Sequence, residues 1–192
     1  MAKKESNFTN MFVTLLIVTL VSSAALGFIY QVTKKPIDDA LMFKKTLAIQ
    51  IVLPKYNNDP FKDATRVPLG KDTLNVYPGR ENGSLTGVAV ETSSPGYGGE
   101  IKLLVGFLPD GTIRDVAVLE SKETPGLGDK IMKSKSNFPL QFEGKNPATF
   151  RLAVKKDGNG DVDAITAATI SSRAYCAAVQ KAYDALKKGN IK

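Results

Sequence analysis

The stretch Met11–Tyr30 (MFVTLLIVTLVSSAALGFIY) carries no charged side chain, and before the terminal Tyr30 its only polar side chains are Thr14, Thr19, Ser22 and Ser23. A helix of about 20 such residues matches the hydrocarbon thickness of a bilayer. Inside lipid, a helix satisfies every backbone group within its own segment. Lysines flank both ends, at Lys3-Lys4 and Lys34-Lys35, so the positive-inside bias is close to a tie. A cleaved signal peptide is the alternative. Ser23-Ala24-Ala25 supplies small residues for it, but the apolar run is longer than a usual signal core. No cysteine lies near the run, so a lipoprotein attachment site is absent, and no second long apolar run follows. The expected organisation is an N-terminal tail over 1–10, a transmembrane helix over 11–30, a stalk helix over 31–55 and a soluble domain over 56–192 on one side of the membrane.

The soluble part reads as α+β. Pro36–Leu53 has helical periodicity, with Pro36 near its first turn, Asp38 and Asp39 early in it and Pro54 after it. Residues 55–83 are rich in Pro, Gly, Asn and Asp and predict only short strands and loops. Leu85–Glu91 alternates like a strand, and Ser93–Gly99 is turn-rich. Ile101–Leu108, Pro109-Asp110-Gly111 and Thr112–Leu119 predict a β-hairpin. Gly128–Ser134 predicts a short helix and Phe150–Val154 a strand, with a turn over Asp157–Gly160. Thr169–Lys188 is an Ala-rich helical stretch closed by Gly189. Strands in succession with helices set apart give an α+β domain of antiparallel strands and flanking helices.

Composition narrows the chemistry. The chain of 192 residues has no histidine and one cysteine, Cys176. It therefore cannot build a four-cysteine iron–sulfur site, a His-rich zinc site or a Ser-His-Asp triad. The net charge is +7, but the lysines are scattered and no basic stripe is interleaved with aromatics. Nucleic-acid binding is not expected; a surface near anionic lipid or an acidic partner is. Asp157-Gly158-Asn159-Gly160-Asp161-Val162-Asp163 resembles the start of a calcium loop. Its sixth position is Val162 rather than Gly and its twelfth is Ala168 rather than Glu, so no metal site is expected. Cys176 lies among Ala174, Ala177 and Ala178 and is expected to be buried filler.

Two segments could carry chemistry. Glu123-Thr124-Pro125-Gly126-Leu127-Gly128-Asp129-Lys130 is a loop fixed by Pro whose glycines let backbone approach a ligand. Read alone, it is an ordinary turn before a helix. Asp163-Ala164-Ile165-Thr166-Ala167-Ala168-Thr169-Ile170 places the Thr169 hydroxyl at a helix start, where free N–H groups and the helix dipole favour phosphate. Read alone, Thr169 is a helix N-cap.

Together, in this order, the two segments resemble the FMN-binding subunits of bacterial Rnf and Nqr electron-transport complexes, and the Rnf member of that pair more than the longer Nqr one. That family has an acidic residue followed by Ser/Thr-Gly-Ala-Thr, matched here by Asp163, Thr166, Ala168 and Thr169, with Ala167 in place of Gly. Glu123–Gly128 matches its second motif without a gap, and Ser94–Gly99 with the following hairpin matches its glycine-rich segment. Ser121 and Lys122 stand where members often have histidine. The chain has no Trp, and Phe138 or Phe142 is expected to fill that space.

The resemblance implies FMN held by a phosphoester to Thr169, installed by a separate flavin transferase for which Asp163, Thr166 and Ala168 are recognition residues. It implies cofactor contacts from Glu123, Thr124, Gly126, Leu127, Gly128 and Lys130, and from Thr166, Ala167, Ala168 and Ser172. It further implies a single-pass protein of the bacterial inner membrane with an extracytoplasmic domain. Its partners would be the other Rnf subunits. The whole would be an oxidoreductase coupling electron flow between ferredoxin and NAD to Na⁺ or H⁺ translocation, and the isolated chain would show no activity beyond flavin redox. An anchored flavin- or ligand-binding domain outside such a complex, sensory or structural, is the alternative.

Overall fold

The computed structural model describes residues 7–189. Helix α1 spans Phe8–Val52 and strands β1 to β5 span Thr65–Leu69, Asp72–Glu81, Ser84–Pro95, Glu100–Phe107 and Ile113–Glu120. Helix α2 spans Thr169–Gly189, and short 3-10 turns lie at Gly128–Ile131, Phe138–Phe142 and Lys155–Asp157. The chain divides into two compact units, with the break between Lys44 and Lys45.

In the first unit, α1 contains a stretch long and apolar enough to cross a membrane. Pro36 lies inside α1, so it does not open a new helix as its position predicts. Proline at this site removes one backbone hydrogen bond, that to the Val32 carbonyl, and the uninterrupted helix-competent run on either side carries the helix through it. Lys3-Lys4 falls outside the described residues.

The second unit is an antiparallel meander in the order β1-β2-β3-β4-β5, covered on both faces. Period-2 alternation explains the two faces. One face presents Val76, Val88, Val90, Leu103, Val105 and Phe107 to the apolar side of α2, whose Ala174, Ala178 and Ala182 allow close approach. The other presents Tyr77, Ala89, Leu104 and Leu119 to Ala48, Ile49, Val52 and Leu53, the last turns of α1 and the residue after it. Gly106 of β4 lies directly under the Val52 carbonyl, where any Cβ would collide with it. Ile49, Val52 and Leu53 are at most 1% exposed. At about 1.5–3 kcal/mol each, their burial contributes about 5–9 kcal/mol as an upper estimate, comparable to the whole net stability of a domain.

A polar cluster sits beside that second core. Glu91 Oε2 of β3 accepts from Lys45 Nζ at 2.9 Å, Asn75 Nδ2 at 3.1 Å and the Tyr77 hydroxyl at 2.9 Å. Burial pushes the Glu91 carboxyl up, but these bonds and the Lys45 charge together hold it below its ordinary value. Burial and the Glu91 charge raise the Tyr77 hydroxyl, which stays protonated as a donor. A depressed carboxyl stabilises the fold above its unfolded pKa, and the contribution fades as pH falls through the folded one. Glu91→Gln is therefore expected to be less stable than wild type at pH 7, with the gap narrowing below about pH 4. Denaturant midpoints measured at both pH values check it.

Three further expectations are altered. Strand β3 continues past Glu91 to Pro95, because Thr92 to Pro95 pair with Leu103 to Glu100 of β4; buried Thr92 also donates its hydroxyl to the Ala178 carbonyl of α2 at 3.0 Å. Gly128–Ile131 forms a single 3-10 turn, shorter than the predicted helix. Phe150–Val154 is not a strand; only Val154 pairs, in an isolated parallel bridge to Val162. Its alternation is real, since Phe150 and Leu152 pack on the core. Its amides, however, go to local acceptors: Phe150 N to the Asn146 carbonyl and Arg151 N to Asp161 Oδ2.

Candidate functional site

Three segments distant in sequence meet at the N-terminus of α2 and enclose an open cleft of about 540 Å³. The turn after β3 supplies Tyr97; the loop after β5 supplies Glu123, Thr124, Leu127 and Gly128; the helix start supplies Ala167 to Ser171. Glu123 holds these segments together. It is 7% exposed, and its Oε1 accepts from the amides of Tyr97 at 2.8 Å and Gly98 at 2.9 Å. Its Oε2 accepts from Ser171 Oγ at 2.5 Å. Gly128 passes so close that a Cβ there would strike both the Glu123 carboxylate and Ser171 Oγ, so the glycine is required by the approach of loop to helix.

The helix start is locked from within. Ser172 is fully buried; its Oγ donates to the Ala168 carbonyl at 3.0 Å and accepts from the Ile165 amide at 2.9 Å. The first helical hydrogen bond runs from Ser172 N to the Ala168 carbonyl. The amides of Thr169, Ile170 and Ser171 precede it and are the unpaired donors that any helix start leaves. All three residues line the cleft. Thr169 is the first residue of α2, so it is not the N-cap; Ala168 occupies that place, and the Thr169 hydroxyl has no hydrogen-bond partner among the described residues. The result is a concave site with a free hydroxyl and oriented N–H donors at its base, suited to an anion.

Ala167 has φ +61°, the left-handed conformation that glycine adopts without strain. A Cβ there costs about 1–2 kcal/mol, and the looser unfolded chain of a glycine variant gives back about 0.4–1 kcal/mol. Ala167→Gly is expected to stabilise the domain by about 0.5–1 kcal/mol, raising the unfolding midpoint by about 1–4 °C, as thermal denaturation of the two chains would measure.

Not every predicted site residue reaches the cleft. Glu123, Thr124, Leu127, Gly128, Ala167, Ala168 and Thr169 come together there, whereas Gly126, Lys130, Thr166 and Ser172 are not among its lining. Gly126 and Thr166 are exposed, Lys130 sits on the 3-10 turn where its carbonyl accepts from Ser136 Oγ at 2.6 Å, and Ser172 is the internal lock. Asp163 is exposed and paired with Lys155 Nζ at 2.8 Å, while Gln141 grips its backbone through both the N–H and the carbonyl. Ser171 and Ile170 line the cleft although nothing in the motif spacing singles them out; helix phase from a start at Thr169 is the signal that would have found them. Phe138 and Phe142, expected to cover the space of the family's Trp, do not line the cleft. They pack on Tyr175 in the core, with ring centroids 5.3 and 4.9 Å away.

The calcium-like segment is consumed by ion pairs. Arg173 makes a bidentate pair with Asp157 at 2.8 and 2.5 Å, holding that carboxyl below its ordinary value. Among the described residues no group of His, Cys, Asp or Glu could hold a metal ion. Cys176 is buried, and desolvation pushes its thiol up to about 12, which makes it inert at neutral pH.

The cleft lies inside a segment, residues 96–184, that matches the FMN-binding domain family. Over 174 residues the chain is 37% identical to the G subunit of the ion-translocating oxidoreductase complex of Vibrio cholerae serotype O1 (strain M66-2), covering 85% of this chain and 83% of that one. It is 34% identical over 178 residues to the G subunit of the Na(+)-translocating ferredoxin:NAD(+) oxidoreductase complex of Acetobacterium woodii, covering 86% and 84%. Among solved structures, Shewanella oneidensis NqrC is similar with a TM-score of 0.46 and 24% identity, covering 68% of this chain and 75% of that one. The chain belongs to the family formed by the G subunits of ion-translocating oxidoreductase complexes, the class to which its two motifs point.

Proposed function

We propose that this chain is the FMN-carrying subunit of an Rnf-type membrane complex that couples electron transfer between ferredoxin and NAD to Na⁺ or H⁺ translocation. The flavin is esterified through its phosphate to Thr169. The observation that carries this reading is the placement of Thr169: a free hydroxyl in the cleft, on the first residue of a 21-residue helix, beside three unpaired amides. The site fits the group. Its volume of about 540 Å³ falls in the range of about 300–1,000 Å³ usual for ligands of this size. Its base favours a phosphate, and its walls carry the apolar side chains Tyr97, Leu127 and Ile170.

FMN supplies the redox chemistry when bound; the protein positions it and sets its surroundings. Glu123 organises the walls from inside, Thr124, Leu127 and Gly128 lie along the loop side, and Ala168 and Ala167 shape the entry to Thr169. Gly126, Lys130 and Ser172 support the frame. A serine or threonine hydroxyl is a weak nucleophile without an activating base, and the family resemblance supplies the answer: attachment is the work of a separate flavin transferase. Asp163, Thr166 and Ala168 are the residues it would read. The protein crosses the bacterial inner membrane once, a reading that the long apolar stretch in α1 supports, and its cleft is on the extracytoplasmic side among the other Rnf subunits. A covalent bond suits that side, where lost FMN has no cytosolic pool to replace it. The uncharged span offers no ion path of its own.

The test is acid unfolding of the full-length chain produced together with a flavin transferase. Flavin is expected to remain on the unfolded polypeptide at one per chain. Complete release into the supernatant would overturn covalent attachment.

A further inference from the structure

Among the described residues outside α1, the large apolar side chains that stand exposed are Tyr97, Leu127, Leu140 and Ile170, and three of these four line the cleft at Thr169. Tyr97 is the extreme case. It is 71% exposed, and neither its ring nor its hydroxyl has a partner among the described residues. Its backbone is nevertheless fixed: its amide donates to Glu123 Oε1 at 2.8 Å, and the turn is closed by Gly96 N to the Gly99 carbonyl at 2.7 Å. A rigid mount for an unpacked aromatic ring at the wall of a ligand cleft is what a planar ligand requires. Building on the reading of Thr169 as the flavin site, we infer that Tyr97 is a positioning residue whose ring lies against the isoalloxazine. Leu127 and Ile170 complete the apolar contact.

This assignment has a spectroscopic consequence. A phenol ring in contact with a photoexcited flavin quenches its emission: one electron passes from the phenol to the excited flavin and returns, with no net oxidation of either. The flavin-loaded wild-type chain is therefore expected to be dim, and to brighten several-fold when digested by protease at neutral pH. Tyr97→Leu, loaded equally as judged by flavin left on the acid-unfolded chain, should be bright while still folded. Tyr97→Trp, which restores an electron-rich ring, should be dim again. Because the Glu123 contact uses only the Tyr97 amide, neither variant removes it, and a folded state is checked by the unfolding midpoint. Equal native emission from wild type and Tyr97→Leu would overturn the contact. Should the wild-type chain hold no flavin after acid unfolding, attachment has failed, and the contact is read from FMN titrated into the unloaded chain. Quenching by wild type but not by Tyr97→Leu upholds it; equal responses overturn it.

Discussion

Thr169→Ala is expected to leave a folded chain from which acid unfolding releases all flavin. In-gel flavin fluorescence and the intact mass are the measurements. The loss should be complete because the other hydroxyls nearby are engaged or misplaced. Ser171 Oγ is committed to Glu123, Ser172 Oγ to Ala168 and Ile165, and Thr166 lies outside the cleft lining. Thr124 is the one other threonine on the wall, but it is on a loop and lacks the dipole of a long helix. Thr124→Ala and Thr166→Ala should therefore keep the label, and Thr169→Ser should keep some of it. Stability should hardly move, since the Thr169 hydroxyl makes no hydrogen bond that the folded chain would lose. Full labelling of Thr169→Ala would place the acceptor elsewhere, with Thr124 the first to examine.

Glu123→Ala should unfold far more easily and lose the cleft with it. The substitution strips the acceptor from two amides, Tyr97 N and Gly98 N, and from the buried Ser171 hydroxyl. The buried Ser171 hydroxyl left without a partner costs about 1–3 kcal/mol, and the two part-buried amides each forfeit a bond to a charged acceptor worth about 1.5–3 kcal/mol, so the loss is about 3 kcal/mol or more, a large part of a net stability of about 5–15 kcal/mol. Glu123→Gln keeps an acceptor for the two amides and offers an NH₂ to Ser171 Oγ, so it should cost about 1–2 kcal/mol. Denaturant unfolding of the detergent-solubilised chain separates the two. Equal, small losses in both would mean that Glu123 does not hold the turn to the helix. The same pair of variants should rank in the same order for flavin loading, because the carboxylate sets where Tyr97 and Ser171 stand.

What the sequence discloses about this molecule depends on whether the signal is local. The hairpin of β4 and β5 was legible because two apolar-rich runs, Ile101–Leu108 and Thr112–Leu119, flank the turn residues Pro109-Asp110-Gly111. The start of α2 was legible because small residues and a hydroxyl precede a helical run. The first two strands were not resolved individually. They carry Pro68, Pro78 and Gly79, residues that argue against strand, and they are rescued by tertiary pairing: Pro78 lies opposite Val88 next to a bulge at Gly79/Arg80. At the site, contiguous motifs led to Thr124, Leu127, Gly128 and Thr169. The work of Glu123 could not be read that way. It lies in its contacts with residues 25, 26 and 48 positions away, which no spacing rule anticipates. Ala167 is the middle case: a departure from Gly was visible in the sequence, and φ +61° gives it a physical cost.

The seating of the last turns of α1 on the sheet bears on where a protease could part the apolar stretch of α1 from the sheet domain. Ile49, Val52 and Leu53 lie under β4 and β2 as core, and Gly106 is shaped to the Val52 carbonyl. A protease that cut between Leu53 and Lys55 would therefore shed a damaged body with a raw apolar face, prone to aggregate rather than diffuse away as a working electron carrier. Only a cut before Lys45 would release an intact one.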